Sequence, residues 1–249
     1  MNIALAAVVF APGLAVGSFL NVVASRLPLG ESLSKPRSNC PHCHDPILAR
    51  DNIPLVSYVL LRGRCRSCRN PISRRYPAVE FSTAALAVAS VVAFGPTLHA
   101  LAAAIFCAAL VTISATDIER LIVPNRVVLP ATAIVLTLQL VRRPSLEWPV
   151  AGLGAALFLL TAALLYPKGM GMGDVKLALL LGVGVGWAVP VALMAGVFAA
   201  LVPSVILLKR HGAAARKRAI PFAPFLALGG LIALFAGGPV IHWYLGFMH

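Results

Sequence analysis

Apolar residues run along this chain in eight blocks, roughly 3–23, 78–94, 98–116, 127–141, 150–166, 175–188, 189–208 and 222–238, with polar residues mostly confined between them. Most blocks reach the about 17–25 residues that a helix needs to cross a bilayer. The pattern predicts an all-α polytopic membrane protein with about eight transmembrane helices. The pair 175–188 and 189–208 is the ambiguous part, because the first is short and Pro190 marks either a kink or a break. Six or seven crossings are the alternatives. The first block, Asn2 to Val23, has no basic flank and no small-residue cleavage site behind it, so it reads as a retained helix rather than a signal peptide.

One sizeable polar segment interrupts the pattern. It divides the chain into a first helix (1–23), an insertion (24–77) and a multi-helix membrane domain (78–249). The insertion contains Cys40-Pro41-His42-Cys43 and Cys65-Arg66-Ser67-Cys68, two CxxC pairs separated by 21 residues. That spacing suits a structural zinc site in which Cys40, Cys43, Cys65 and Cys68 supply four thiolates, as in a zinc ribbon. The segment is too polar to build a core of its own, so metal binding would supply much of its folding energy. Disulfides are the competing reading, and they require an oxidising compartment. His42 and His44 read as neighbours rather than ligands. Cys107 falls inside an apolar block and reads as a small buried hydrophobe.

Composition agrees with the pattern: 59% of residues are hydrophobic and 12% charged, against about 25% charged in soluble domains. The net charge of +13 would suggest nucleic acid in a soluble protein, but here it is explained by topology. With the insertion in the cytoplasm, eight crossings put segments 117–126, 167–176 and 209–221 on the same side. That side then holds 19 of the 21 lysines and arginines, all but Arg142 and Arg143. The asymmetry follows the positive-inside rule, with both termini outside. Membrane lipids are expected partners, and the anionic leaflet would attract Arg216, Lys217 and Arg218. No nucleic-acid partner is expected.

Two aspartates, Asp117 and Asp174, sit at the ends of apolar blocks. A carboxylate near hydrocarbon is costly and points to function. Asp117 closes the block 98–116 just before Pro124 limits further helix. A boundary charge paired with Arg120 or Arg126 would also explain it. Asp174 follows alternating glycines, Gly169, Gly171 and Gly173, and would begin the next helix, where the positive dipole end stabilises a carboxylate. A helix cap explains Asp174 taken alone. Together, on one side of the membrane, they make a pair able to share a proton and act as base and acid on a peptide bond. The helix-terminus argument favours Asp174 as the ionised partner. Lys176 would either tune that pair or anchor the interface.

These motifs, in order, resemble the type 4 prepilin peptidase family of membrane aspartyl proteases, the GxGD class. The likeness begins with Gly17-Ser18-Phe19-Leu20-Asn21 and Arg26-Leu27-Pro28. It continues through both CxxC pairs, Ser73-Arg74-Arg75-Tyr76-Pro77, Glu80 and Asp117. It is strongest at Gly171-Met172-Gly173-Asp174-Val175-Lys176, and it closes with Ile220-Pro221-Phe222-Ala223-Pro224-Phe225-Leu226. The resemblance implies an aspartic endopeptidase of the bacterial cytoplasmic (inner) membrane. Such enzymes remove the basic leader of type IV prepilins or pseudopilins at the cytoplasmic face. Many then methylate the new amino terminus with S-adenosylmethionine. Asp117 and Asp174 match the catalytic aspartates, and the cysteine insertion matches that of bifunctional members. Asn125 departs from the aspartate of many relatives, and Ala223 is a mild replacement for glycine. Glu80 suits either an ion pair with Arg74 or Arg75 or a substrate contact, and with Glu119 it would suit a basic leader. No nucleotide-binding loop is visible for the methyl donor.

Two other classes fit part of the pattern. A proton-coupled transporter would also carry membrane carboxylates and glycine-interrupted helices, but no repeat symmetry relates the halves. A non-enzymatic scaffold docking through a zinc ribbon would leave the two aspartates unexplained.

Overall fold

The computed structural model of the chain describes residues 3–35, 38–166, 170–211 and 220–247. Gly169, Arg216, Lys217 and Arg218 lie outside the described residues. The chain forms two compact units, 1–95 and 96–249.

The first unit holds α1 (Ile3–Arg26), the short α2 (Val56–Leu60) and α3 (Arg75–Phe94). Lipid gives apolar helices no solvent-driven reason to associate, so close packing must do so, and small residues permit it. Gly13 and Gly17, one turn apart on α1, serve this end. A Cβ at either would stand 2.7 Å from a Cα of α3, that of Ala84 or Glu80. Near the insertion, Asn21 Nδ2 donates to the Tyr76 carbonyl at 3.0 Å. Glu80 is buried and its Oε2 accepts the Leu55 N–H at 2.9 Å, tying the insertion to α3. Leu55 has φ +58°, a conformation costly for a leucine.

The second unit is a bundle of α4 (Leu98–Arg120), α5 (Asn125–Arg142), α6 (Glu147–Leu165), α7 (Met172–Val185), α8 (Val189–His211) and α9 (Ala223–Phe247). Thr97 caps α4 by accepting the Ala100 N–H. Leu121, at φ +56°, ends it. α7 is central: Leu177, Ala178, Leu180 and Leu181 are fully buried, and α4, α5, α6 and α9 all pack against it. Gln139 on α5 donates to the Gly184 carbonyl near its end.

Six stretches are long and apolar enough to cross a membrane: Ala6–Leu29, Arg75–Phe94, Leu98–Arg120, Glu147–Leu165, Met172–Arg210 and Ala223–Ile241. The protein is therefore an all-α polytopic membrane protein. The sequence count of eight differs at two places. α5 carries Arg126, Thr132, Thr137 and Gln139 and falls outside the six. α7 and α8 merge into one apolar stretch although the backbone breaks between them, at a 3-10 turn over Gly186–Ala188 with Gly186 at φ +60°. The break precedes Pro190, which lies inside α8. α7 alone has 14 residues, or about 21 Å of helix.

Candidate functional site

The alternation of the bundle brings several helix ends together. α4 and α6 finish, and α5, α7 and α9 begin, at the same end of the second unit. Asp117 lies in the last turn of α4 and Asp174 in the first turn of α7. α7 begins at Met172 behind Gly171, so Asp174 sits within the helix rather than ahead of it. Asp117 and Asp174 line one cavity of about 320 Å³, whose remaining wall includes Leu121, Ile122, Val123, Asn125, Gly171, Gly173 and Lys176. The two carboxylates are close enough to interact electrostatically. Their sequence separation carried no such information.

Asp117 is buried, with 6% of its surface exposed. Its Oδ2 accepts the backbone N–H of Ala223 at 2.9 Å, and the Phe222 amide also points at it. Ala223 is the first residue of α9. Asp117 thus acts as an N-terminal cap for a helix 106 positions further along the chain. Asp174 is half-buried, and its carboxylate faces the Gly171 amide of its own turn.

Gly173 has a packing reason to be glycine. A Cβ there would stand 2.8 Å from Val123 Cβ, so the bare backbone lets the turn after α4 close on the start of α7. Lys176 Nζ donates to Asn125 Oδ1 at 2.8 Å across the cavity wall. The lysine's partner is therefore the neutral amide of Asn125. Such an arrangement, two carboxylates in a confined pocket at the end of a membrane bundle, can take a proton from water and give one to a carbonyl oxygen.

In the first unit, Cys40, Cys43, Cys65 and Cys68 come together with all four sulfurs within 4.8 Å of one another. Two turns of one design build this cluster. Cys40 N–H donates to the Asp45 carbonyl and His44 N–H to the Cys40 carbonyl, while Cys65 N–H and Arg69 N–H repeat the pattern with Asn70 and Cys65. His44 and Arg69 both adopt left-handed backbone, at φ 60° and 61°. Antiparallel bridges Asn39–Pro46 and Arg64–Pro71 flank the turns. The repeat was readable in the sequence as Cys-x-x-Cys-x-(Asp/Asn)-Pro-Ile, once at 40–47 and again at 65–72.

The cluster fits a tetrahedral cation. Zn–S bonds of about 2.3 Å imply sulfurs about 3.8 Å apart, and Cys40 and Cys68 Sγ stand 3.7 Å apart. The Cys43 and His42 amides hold the Cys40 thiol down at about 6. Cys43, although the Asp45 amide favours its thiolate, is pushed up to about 12 by burial and by the neighbouring sulfurs. His42 and His44 are not part of the cluster.

Comparisons with known proteins cover both units. Residues 12–94 match the Bacterial Peptidase A24 N-terminal domain, and residues 104–205 match the Type IV leader peptidase family. A prepilin leader peptidase/N-methyltransferase of Aeromonas hydrophila is 37% identical over 273 residues, covering 95% of this chain and 92% of the relative. One of Burkholderia pseudomallei (strain K96243) is 40% identical over 261 residues, covering 91% and 84%. One of Bacillus subtilis (strain 168) is 34% identical over 248 residues, covering 96% and 97%. No solved structure matches at comparable stringency.

Proposed function

The chain belongs to the type IV leader peptidase family, and on that premise we propose that it is a prepilin leader peptidase/N-methyltransferase whose catalytic pair is Asp117 and Asp174. The observation that carries the residue assignment is their shared cavity at one end of the bundle. One carboxylate takes a proton from water as it attacks the scissile carbonyl. The other protonates the carbonyl oxygen, and the tetrahedral intermediate collapses as the new amine receives a proton. A transporter would place such groups near midplane, whereas these lie at helix ends.

The end carrying the aspartates is assigned to the cytoplasm. Arg120, Arg126, Lys176, Lys209 and Arg210 lie at that end of the bundle, against Arg142 and Arg143 at the other. The substrate is a type IV prepilin or pseudopilin that keeps its apolar helix in the bilayer and presents its leader junction to the cavity. The bundle is read as eight crossings with the first unit's helices included. α7 packs among other helices, so it need not match the lipid thickness. The cysteine cluster of residues 24–77 is assigned to structural zinc, which would fix the fold of the insertion and stay clear of the scissile bond. The protease machinery lies in the helices after the insertion. Methyl transfer from S-adenosylmethionine to the freed amine completes the reading.

The test is incubation of the purified protein with a prepilin, followed by intact-mass spectrometry. Loss of the leader is expected, then a gain of one methylene when S-adenosylmethionine is present. Asp117→Asn and Asp174→Asn should each lower cleavage by about 10³-fold or more while inserting normally, since each removes the acid or the base. Substantial cleavage by either variant overturns the two-aspartate assignment. Cleavage without methylation overturns only the second activity.

A further inference from the structure

In the sequence only the helix start at Asp174 is visible, and the positive end of that helix favours Asp174 as the ionised member of the pair. The fold supplies a second helix start and aims it at the other aspartate. Ala223 N–H, the first amide of α9, donates to Asp117 Oδ2 at 2.9 Å. The Phe222 amide converges on the same carboxylate. The first amides of a helix have no partner within it and carry the positive end of its dipole. A carboxylate that accepts them is held in one orientation and stabilised as an anion. Among the described residues, the amide that faces Asp174 is that of Gly171 in its own turn.

Resting on the reading of the chain as an aspartic peptidase, we propose that the backbone N–H of Ala223 is a positioning group. It fixes Asp117 as the ionised base and leaves Asp174 to carry the shared proton. Asp117 Oδ2 is occupied by α9, so Oδ1 is the oxygen left to receive the proton of the attacking water. Asp174 protonates the carbonyl oxygen of the scissile bond. Water loses a proton to Asp117, its oxygen bonds to the carbonyl carbon as the C=O π bond opens, and the carbonyl oxygen gains the proton of Asp174. On collapse the C–N bond breaks, Asp117 passes its proton to the leaving amine nitrogen, and Asp174 recovers a proton from a hydroxyl of the tetrahedral intermediate. Among the described residues the only other charge lining the cavity is Lys176 on α7, which is engaged with Asn125 of α5. The segment from Ile220 to Phe225 carries no charged side chain. Ala223 itself has no side-chain function, and its Cβ is fully buried. The part of the Ile220–Leu226 motif that matters here is a main-chain atom, which a side-chain comparison does not register.

The experiment removes that one hydrogen. Ala223→Pro deletes the N–H, and the first helical position is where proline is best tolerated. Replacing the amide by an ester, with lactic acid at position 223, deletes it without adding a ring, and serves if the proline variant misfolds. Ala223→Gly keeps the N–H and is the rescue variant. With purified enzyme and a prepilin, the proline or ester variant is expected to lose about 10- to 100-fold in kcat with KM within about twofold. The limb of its pH–rate profile that reports the base should move to higher pH. Ala223→Gly should recover at least a third of native kcat with the native profile. Native-like kcat and profile in the ester variant overturn the proposal. So does a loss confined to KM, or an equal loss in Ala223→Gly. Failure of the native enzyme to cleave any prepilin instead overturns the peptidase reading, so the two failures are distinguishable.

Discussion

Gly173→Ala adds a single methyl group at the floor of the aspartate cavity, where there is no room for it. The new Cβ would stand 2.8 Å from Val123 Cβ and 3.1 Å from its Cγ2. Carbon atoms in ordinary contact sit about 3.5–4.0 Å apart, so about 1 Å must be found. A Cβ cannot rotate away as a side-chain tip can, so the main chain has to move. It does so either in the turn 121–124, just beyond Asp117, or in the first turn of α7, which holds Asp174. Overpacking of this kind costs about 1–3 kcal/mol. A displacement of about 1 Å in a catalytic arrangement costs on the order of 10²-fold in rate. The variant should therefore insert normally, melt somewhat lower and lose about 10²-fold in kcat, with KM nearly unchanged. Single-turnover cleavage of a prepilin in detergent or nanodiscs measures this. Val123→Gly removes the obstructing atoms, so Gly173→Ala with Val123→Gly should regain about tenfold over Gly173→Ala alone. That recovery is a coupling which two independent losses would not show. Gly173→Ala activity within threefold of native, or a double variant no better than the single, refutes the reasoning.

The first unit and the charge pattern give further expected outcomes. Purified protein should contain about one zinc per chain held by four thiolates, and Cys40→Ser should lose it and speed proteolysis of residues 24–77. Elemental analysis finding no metal together with four oxidised cysteines would reverse that assignment. Arg66 donates two hydrogen bonds to Asp51, at 2.7 and 2.6 Å, and holds that carboxyl below the usual carboxylate range. The support from a depressed folded-state pKa is complete above the unfolded value of about 3.9 and lost as pH falls below it. Hydrogen-exchange protection factors over residues 48–66, corrected for the intrinsic pH dependence of amide exchange, should therefore fall below about pH 4, and less so in Asp51→Asn; equal acid sensitivity in both would count against it. Cysteines placed at Glu119 or Met170 should react with an impermeant reagent only after the membrane is opened, and one at Ser145 in intact cells with a permeable outer envelope. The reverse pattern would put the cavity on the wrong face.

The sequence by itself determined the class of this protein and singled out the residues proposed to carry its chemistry. Long apolar blocks must become helices because lipid leaves no other way to satisfy backbone polar groups. Charge asymmetry orders those helices, and cysteine spacing is local enough to announce a metal knuckle, with Asp45-Pro46-Ile47 and Asn70-Pro71-Ile72 repeating the turn design. Asp117 and Asp174 stood out because carboxylates at hydrocarbon edges are costly. What only the tertiary structure decided is how those residues meet. The pattern divided 175–188 from 189–208 where the backbone breaks, but left open whether the two cross separately, because a helix surrounded by protein is apolar for the same reason as one surrounded by lipid. Block 127–141 is helix α5 in the structure, yet it falls outside the six stretches apolar enough to cross a membrane, and its Gln139 is buried against Gly184. The packing of Gly173 against Val123 was not visible in the glycine pattern, because the two meet only when the turn after α4 closes on α7. Glu80 accepts the Leu55 amide, a main-chain contact that its sequence setting did not show. The contact between Ala223 and Asp117 had no signal at all. It joins a main-chain N–H to a carboxylate 106 positions away, and a backbone donor looks the same in every residue but proline until the fold aims it.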